Sequence, residues 1–440
     1  MAILLRVRIS AFARKASRLC HEFVFMRAPE VAAVRILSVV ANLGFLALVN
    51  RYAGDVIAGQ FLALYALILI VSSLARMGAE QYLIASLPRT APSDQSAHIS
   101  SLLAAVVCVT ALLMGVTAAA TNVWNLSFAF GASWSTFFLF WAAILFLSLN
   151  WVGVGALRGV GRYLQSVSQE TLVYFSIFIV FLLLVGSRRR IVQEDLLLAL
   201  VASFFISVVL GFSLLAKAGT RPKLATAAEV LESCRQSVSY WLAASLSVLN
   251  AWLPTLLLGL LAAPQEVGAF TISYRLAMLL LFGLMILNPR YAHEYSRLSA
   301  SGQTDELISL YRRNTVSQLP FLIFALCSLA VASSFIFDFA NIDSSEAYVL
   351  LAILSVGTFV SAVCGPIVTA SLATGHARLV SGTMAVTVGL SALIVFLFKN
   401  SMNALLVAQI VAVTVASQNL ILYVLWMSRQ KLALSRQTVR

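Results

Sequence analysis

Arg35 and Arg275 stand inside long apolar stretches, where a charged side chain costs on the order of 3 kcal/mol to insert if it is unpaired. A guanidinium so placed has three outlets. It snorkels to the nearest polar surface, it donates to helix carbonyls, or it meets an anion, whose phosphate oxygens match its planar fork. Arg35 lies about four residues into its stretch, roughly 6 Å deep, and Arg275 about eight residues, roughly 12 Å, at 1.5 Å per residue. For Arg35, snorkelling and anion binding stand level. The greater depth of Arg275 favours a cavity, with a bond to helix carbonyls as the alternative. Asn42 and Asn250, with Asn150, Trp151, Ser247 and Trp252, are further residues in the stretches. Their chemistry suits sugars, by amide hydrogen bonds and ring stacking. It equally suits bridges between packed helices and, for Trp, a place at the lipid–water interface.

The elements that carry these residues follow from hydropathy. Of 440 residues, 61% are hydrophobic and 11% charged, against about 25% charged in a soluble domain. Apolar runs of about 20 residues cross the hydrocarbon core as helices, because lipid offers no partner to a free backbone N–H or C=O. An all-α polytopic membrane protein of about twelve helices is expected. The spans fall near 31–50, 57–76, 98–120, 132–155, 170–187 and 195–216, then 237–262, 267–289, 316–337, 346–373, 379–398 and 402–427. Arg35 and Arg275 are taken as the two intramembrane charges; Arg76, Glu170, Asp195 and Glu346 fall on the end residues of spans and are counted as boundary, so no Asp or Glu is assigned to the membrane. The residues before, between and after make a basic segment 1–30, bundles 31–217 and 237–427, a linker 218–236 and a tail 428–440.

Orientation follows from the rule that Lys and Arg in short loops stay cytoplasmic. Among the 30 basic residues, only Arg51, Arg188, Arg189, Arg190 and Lys399 fall in external connections, so both termini are expected in the cytoplasm. Arg188 to Arg190 is the local violation of the rule. The net charge of +13 is spread over many small loops, which points to topology rather than to nucleic acid. In the first 30 residues, Arg6, Arg8, Arg14, Lys15, Arg18 and Arg27 interleave with Leu4, Leu5, Ile9, Phe12 and Leu19. Two readings fit that pattern: an amphipathic helix on the anionic inner leaflet, and a basic tail without structure that only fixes topology. The segment is too long for an ordinary signal-peptide n-region, and no cleavage is expected.

Enzyme and metal chemistry find little support. Cys108, Cys327 and Cys364 lie within spans, with Cys20 and Cys234 on the cytoplasmic side, so no external disulfide is expected. His21, His98, His293 and His376 are scattered, without metal-ligand spacing, and neither metal nor cofactor is expected. No nucleophile–base pair or phosphate-binding loop appears, and a membrane polymerase or ligase would be expected to carry a large external loop. The chain is read as not an enzyme.

A repeat joins the two halves. Gly59-Gln60-Phe61 opens the second span and Gly268-Ala269-Phe270 the eighth; Gly161 follows the fourth span and Gly375 the tenth. Both offsets fit two six-helix halves in the same orientation, an arrangement that places substrate between the halves.

With those residues in view, the chain resembles polysaccharide flippases of the multidrug/oligosaccharidyl-lipid/polysaccharide exporter superfamily. The likeness is carried by Gly54 to Arg89, with Gly59-x-Phe61 and Arg76-Met77-Gly78-Ala79-Glu80-Gln81. It continues in Glu266-Val267-Gly268-Ala269-Phe270, Tyr274-Arg275-Leu276-Ala277, Asn288-Pro289 and Gly365-Pro366 followed by Thr374-Gly375. The resemblance implies a flippase of a bacterial inner membrane. It would move an undecaprenyl-pyrophosphate-linked oligosaccharide from the cytoplasmic to the external leaflet for cell-surface polysaccharide synthesis, alongside polysaccharide assembly enzymes. It implies substrate-binding roles for Arg35 and Arg275, which fall on helices where such flippases carry cavity arginines, and Tyr274, Asn42 and Asn250 are grouped with them. The alternative within the superfamily is a cation-coupled multidrug exporter. Such an exporter would be expected to hold an Asp or Glu in a span.

Overall fold

The computed structural model describes residues 29–124, 134–186, 191–220, 225–342 and 344–438. The basic segment before residue 29 and the run Arg188 to Arg190 lie outside these residues. Helices make up the described structure, with no strand among them, and twelve are long and apolar enough to cross a membrane. We label them α1 (Glu30–Ala53), α2 (Asp55–Ala75), α3 (Asp94–Ala119), α4 (Trp134–Gly159), α5 (Tyr163–Gly186) and α6 (Gln193–Lys217) in the first half. The second half holds α7 (Tyr240–Leu261), α8 (Pro264–Leu284), α9 (Thr304–Ala340), α10 (Ser345–Val363), α11 (Ala377–Leu397) and α12 (Ala404–Leu432).

Each expected span has its helix, with differences at the ends where hydropathy is blind. The helix that carries α7 begins at Ala227, ten residues before the expected span. Thr226 accepts from the Glu229 backbone N–H and the Glu229 carboxylate accepts from Thr226, a capping box on a polar turn. The tenth span ends early, because Gly365 takes φ +70° and breaks the helix before a short helix, Ile367–Ala373. The fifth span starts early, at Tyr163, and contains one π-helical turn, Ser168–Leu172.

Packing repeats with an offset of six helices. Within the first half, α1 packs on α2 and α5, α4 on α2, α3 and α6, and α5 on α6. Within the second, α7 packs on α8 and α11, α10 on α8, α9 and α12, and α11 on α12. The repeat glycines fit the same scheme. Gly161 (φ +82°) and Gly375 (φ +79°) each end a helix, in the same bonding pattern. Gly161 N–H donates to Arg158 O and Arg162 N–H to Leu157 O at 3.1 and 2.8 Å; Gly375 N–H donates to Leu372 O and His376 N–H to Ser371 O at 3.1 and 2.8 Å. This is the Schellman ending, which satisfies carbonyls that a helix end leaves open.

The halves meet along α2, which packs against α7 and α8, and more thinly where α1 meets α8 and α9. A Cβ on Gly59 would collide with the Pro264 carbonyl, and one on Gly268 with the Asn50 side-chain amide, so the first glycine permits backbone contact and the second makes room for a side chain at the end of the bundle where α1 turns into α2. At the opposite end α2 stops at Met77 (φ +48°) and Gly78 (φ +74°). There Gly78 lies against the backbone of α7 at Trp241, and the short helix Ala79–Ser86 tucks onto α4 at Gly155 and Gly159. Small residues four apart let helices approach where dispersion and not water drives association.

Candidate functional site

The thin contact between α1 and α8 leaves a cavity of about 290 Å³ between the halves. Helical periodicity builds its walls. Arg35, Ser38, Asn42 and Leu43 line one face of α1, and Arg275, Met278, Leu279 and Phe282 one face of α8, as positions three, four and seven apart must. Tyr65, Trp151, Tyr174 and Trp252 add aromatic rings from α2, α4, α5 and α7. The lining thus joins both halves, with charge at two places and rings between.

Arg275 is half-buried and has no carboxylate partner among the described residues. Its guanidinium carbon sits 3.6 Å from the centroid of the Trp252 ring, and one terminal nitrogen donates to Ala251 O at 3.2 Å. Its Nε is buried without a partner. The carbonyl bond expected as the alternative therefore exists, but it uses one donor of a group that has five. A cation stacked on an indole face is stabilised without an anionic partner, and Arg275 lines the cavity in that state.

Arg35 does not stand alone, which overturns the expectation that no acid lies in a span. Its Nη1 is 3.1 Å from Glu170 Oε2, and Arg158 Nη2 donates to the same oxygen at 3.0 Å. Glu170 sits seven residues inside α5, within the π-helical turn, because that helix begins at Tyr163 rather than at residue 170. A second acid, Glu80, pairs with Arg76 at 2.5 Å just past the end of α2, and Arg76 is only 4% exposed. Arg76 also lies 5.0 Å from the Trp151 ring, behind the cavity wall. Of the charged residues that line the cavity, Arg35 and Arg275 outnumber Glu170, so the wall carries one positive charge in excess.

The other expected site residues divide. Asn42 lines the cavity with Arg35 and Arg275. Tyr274 does not: it is 1% exposed, stacks on Phe270 with ring centroids 5.9 Å apart, and leaves its buried hydroxyl without a partner. One residue along a helix turns a side chain by 100°, so the neighbour of a cavity residue points elsewhere. Asn250 also stands apart, in a narrow pocket among α7, α11 and α12 with Pro254, Ser391 and Thr414. Asn150 is in the interior of the first half, where its Nδ2 donates to Gln169 O at 3.2 Å and its Oδ1 accepts from Ser207 Oγ at 2.9 Å. Ser207 has one proton, so the Gln169 amide presents its nitrogen to Ser207 Oγ at 2.8 Å and its oxygen to Gly211 N–H. Ser247 is exposed on α7. Tyr65, Tyr174 and Glu170 escaped the sequence reading. Only the spacing of Arg158 and Glu170 around one turn could have hinted at the last.

No family model matches the sequence, and no match is found among curated proteins. Solved structures do match. A multidrug resistance MATE family transporter of the MOP superfamily, in its inward-facing conformation, aligns with a TM-score of 0.67 at 13% identity, over 93% of this chain and 99% of that one. The lipid II flippase MurJ, in an inward closed conformation, aligns at 0.65 and 12%, over 91% and 87%. A MOP superfamily transporter from Pyrococcus furiosus, described by the reverse polarity of its binding pocket, aligns at 0.63 and 14%, over 92% and 94%. With twelve apolar helices and this likeness over nearly its whole length, the chain is a multi-pass membrane protein with the fold of the MOP-superfamily transporters.

Proposed function

We propose that the protein is a flippase for an oligosaccharide linked to a polyprenyl pyrophosphate, moved from the cytoplasmic to the external leaflet by alternating access. The observation that carries the reading is Arg275, a cation in the wall between the halves with no carboxylate partner among the described residues. An anionic headgroup completes that group. The aromatic rings and Asn42 suit sugars, and on this reading the lipid tail stays in the bilayer while the headgroup enters between the halves. The likeness in fold to MurJ, a lipid II flippase by its description, supports this reading. By the loop charges, both termini face the cytoplasm of a bacterial-type inner membrane, whose anionic leaflet the basic N-terminal segment would meet; polysaccharide assembly enzymes are the natural partners. An inside-negative potential assists export of an anion, by up to about 2.3 kcal/mol per charge per 100 mV.

One observation favours a second reading, a cation-coupled multidrug exporter: Glu170 lines the cavity, and an intramembrane acid is what ion coupling requires. Two arginines already hold that carboxylate, which leaves less charge for a drug cation or a coupling ion. The test is transfer of a lipid-pyrophosphate oligosaccharide in proteoliposomes, comparing wild type with Arg275→Ala, and a cationic dye as second cargo. Loss of lipid transfer in the variant supports the flippase. Dye transport without lipid transfer moves the protein to the exporter reading, and lipid transfer unchanged in Arg275→Ala removes the anion site.

A further inference from the structure

The carboxylate of Glu170 has a job that neither the repeat nor the fold assigns. It is shared by two arginines that are held very differently. Arg158 is fixed at three points: Nη2 on Glu170 at 3.0 Å, Nε on Ser166 Oγ at 3.2 Å, and its guanidinium 5.6 Å from the Tyr163 ring. Ser166 Oγ is itself anchored on Val154 O at 3.0 Å. The backbone that carries Glu170 is equally fixed, because the preceding residue, Gln169, is locked to Asn150 and Ser207. For Arg35, by contrast, Glu170 is the partner the structure shows, at 3.1 Å. Arg35 also lines the cavity, with its side chain 24% exposed.

We infer that Glu170 is a resident counter-anion that holds Arg35 when the cavity is empty and gives it up to the phosphate of an entering headgroup. The inference rests on the anion-site reading above. When Arg35 turns to an incoming phosphate, Glu170 keeps Arg158 and is not left as a bare buried charge, so the exchange avoids the cost that usually follows when an ion pair is broken. The wall then presents two arginines, one from each half, to a ligand that bears at least two negative charges. On departure of the ligand Glu170 recaptures Arg35. The carboxylate thus competes with substrate: it weakens binding and favours release. The π-helical turn fits such a role, since these single turns cluster at functional sites.

The experiment is calorimetric binding of a short-chain prenyl pyrophosphate to the purified full-length protein in detergent, for wild type, Arg275→Ala, Glu170→Gln, Arg35→Ala and the double variant Arg35→Ala/Glu170→Gln. Glu170→Gln is expected to tighten binding about fivefold, the effect of removing a competing partly exposed ion pair, and the gain is expected to vanish in the Arg35→Ala background. An ion pair with only a structural role predicts the opposite sign, with weaker binding in Glu170→Gln. Unchanged or weaker binding in a folded Glu170→Gln, with Arg275→Ala still defective, overturns the counter-anion and leaves the anion site standing. No binding by wild type, or Arg275→Ala equal to wild type, overturns the site and the counter-anion together. If Glu170→Gln fails to fold, Glu170→Asp, which draws the charge back by one methylene, takes its place, with the same sign expected and a smaller effect; no gain there overturns the inference.

Discussion

A methyl group added at Gly78 strains the backbone and also pushes the two halves apart, and the structure allows these effects to be separated. Gly78 has φ +74°, and a Cβ there would lie 2.7 Å from Trp241 N and 2.8 Å from Tyr240 C, across the boundary between the halves. An ordinary contact begins at 3.4 Å, so the backbones must part by about 0.7 Å or the turn must deform. Left-handed φ costs a non-glycine residue about 1 to 2 kcal/mol, and overpacking adds about 1 to 3 kcal/mol. Gly161 supplies the control: its φ is +82°, but a Cβ on it meets nothing within 4 Å. Gly161→Ala should therefore incur the backbone strain alone, and Gly78→Ala that strain plus the clash. If the contact exists only while this end of the bundle is closed, the additional 1 to 3 kcal/mol should shift the populations about 5- to 150-fold toward the state in which this end is open. The assay has two parts: thermal unfolding of both variants in detergent, and spin-label distances between Ala91 and Arg235, exposed residues on either half, in a background free of native cysteines. Equal destabilisation by the two substitutions, with an unchanged 91–235 distance distribution, would refute the reasoning, because the turn would then have yielded without moving the halves.

Further expectations are equally direct. Gly155→Ala brings a Cβ to 2.7 Å from Glu80 Cα and O, so it should cost about 1 to 3 kcal/mol, seen as a lower unfolding temperature. Trp252→Ala removes the ring 3.6 Å beneath Arg275. A cation–π contact contributes about 0.5 to 2 kcal/mol, so affinity for a prenyl pyrophosphate should fall roughly 2- to 30-fold, with Trp252→Phe losing less. His376 is held below the usual histidine value by burial and then by Arg429, and its Nδ1 lies 3.0 Å from Thr374 Oγ1, which also accepts from Trp426 Nε1. A depressed histidine contributes its stability above the unfolded value of about 6.5 and loses it as pH falls below that. Unfolding temperatures measured from pH 7.5 down to 5 should therefore drop, and His376→Gln should flatten that part of the profile; an equal slope in the variant would assign the drop to other groups.

The number, type and order of the twelve spans were legible in the sequence. Lipid acts on each stretch by itself, and a run of apolar residues with no water to bond must close its hydrogen bonds internally. The repeat was legible for a similar reason, since Gly161 and Gly375 close local turns and Gly59 and Gly268 mark close approaches that no side chain permits. Arg35, Asn42 and Arg275 were visible as polar exceptions in apolar runs, and all three line one cavity. What decides their chemistry was not visible. Arg35 meets Glu170 across 135 positions of chain and through a π-helical turn that shifts the face of α5, and no periodicity encodes that. Tyr274 and Asn250 had the right types but the wrong faces, since which side of a helix borders the cavity depends on how its neighbours pack. Hydropathy is a property of segments, and the sequence by itself determined the segments. Pairing and facing are properties of the assembled halves, and only the tertiary structure decided that one arginine would be answered by a carboxylate and the other left open.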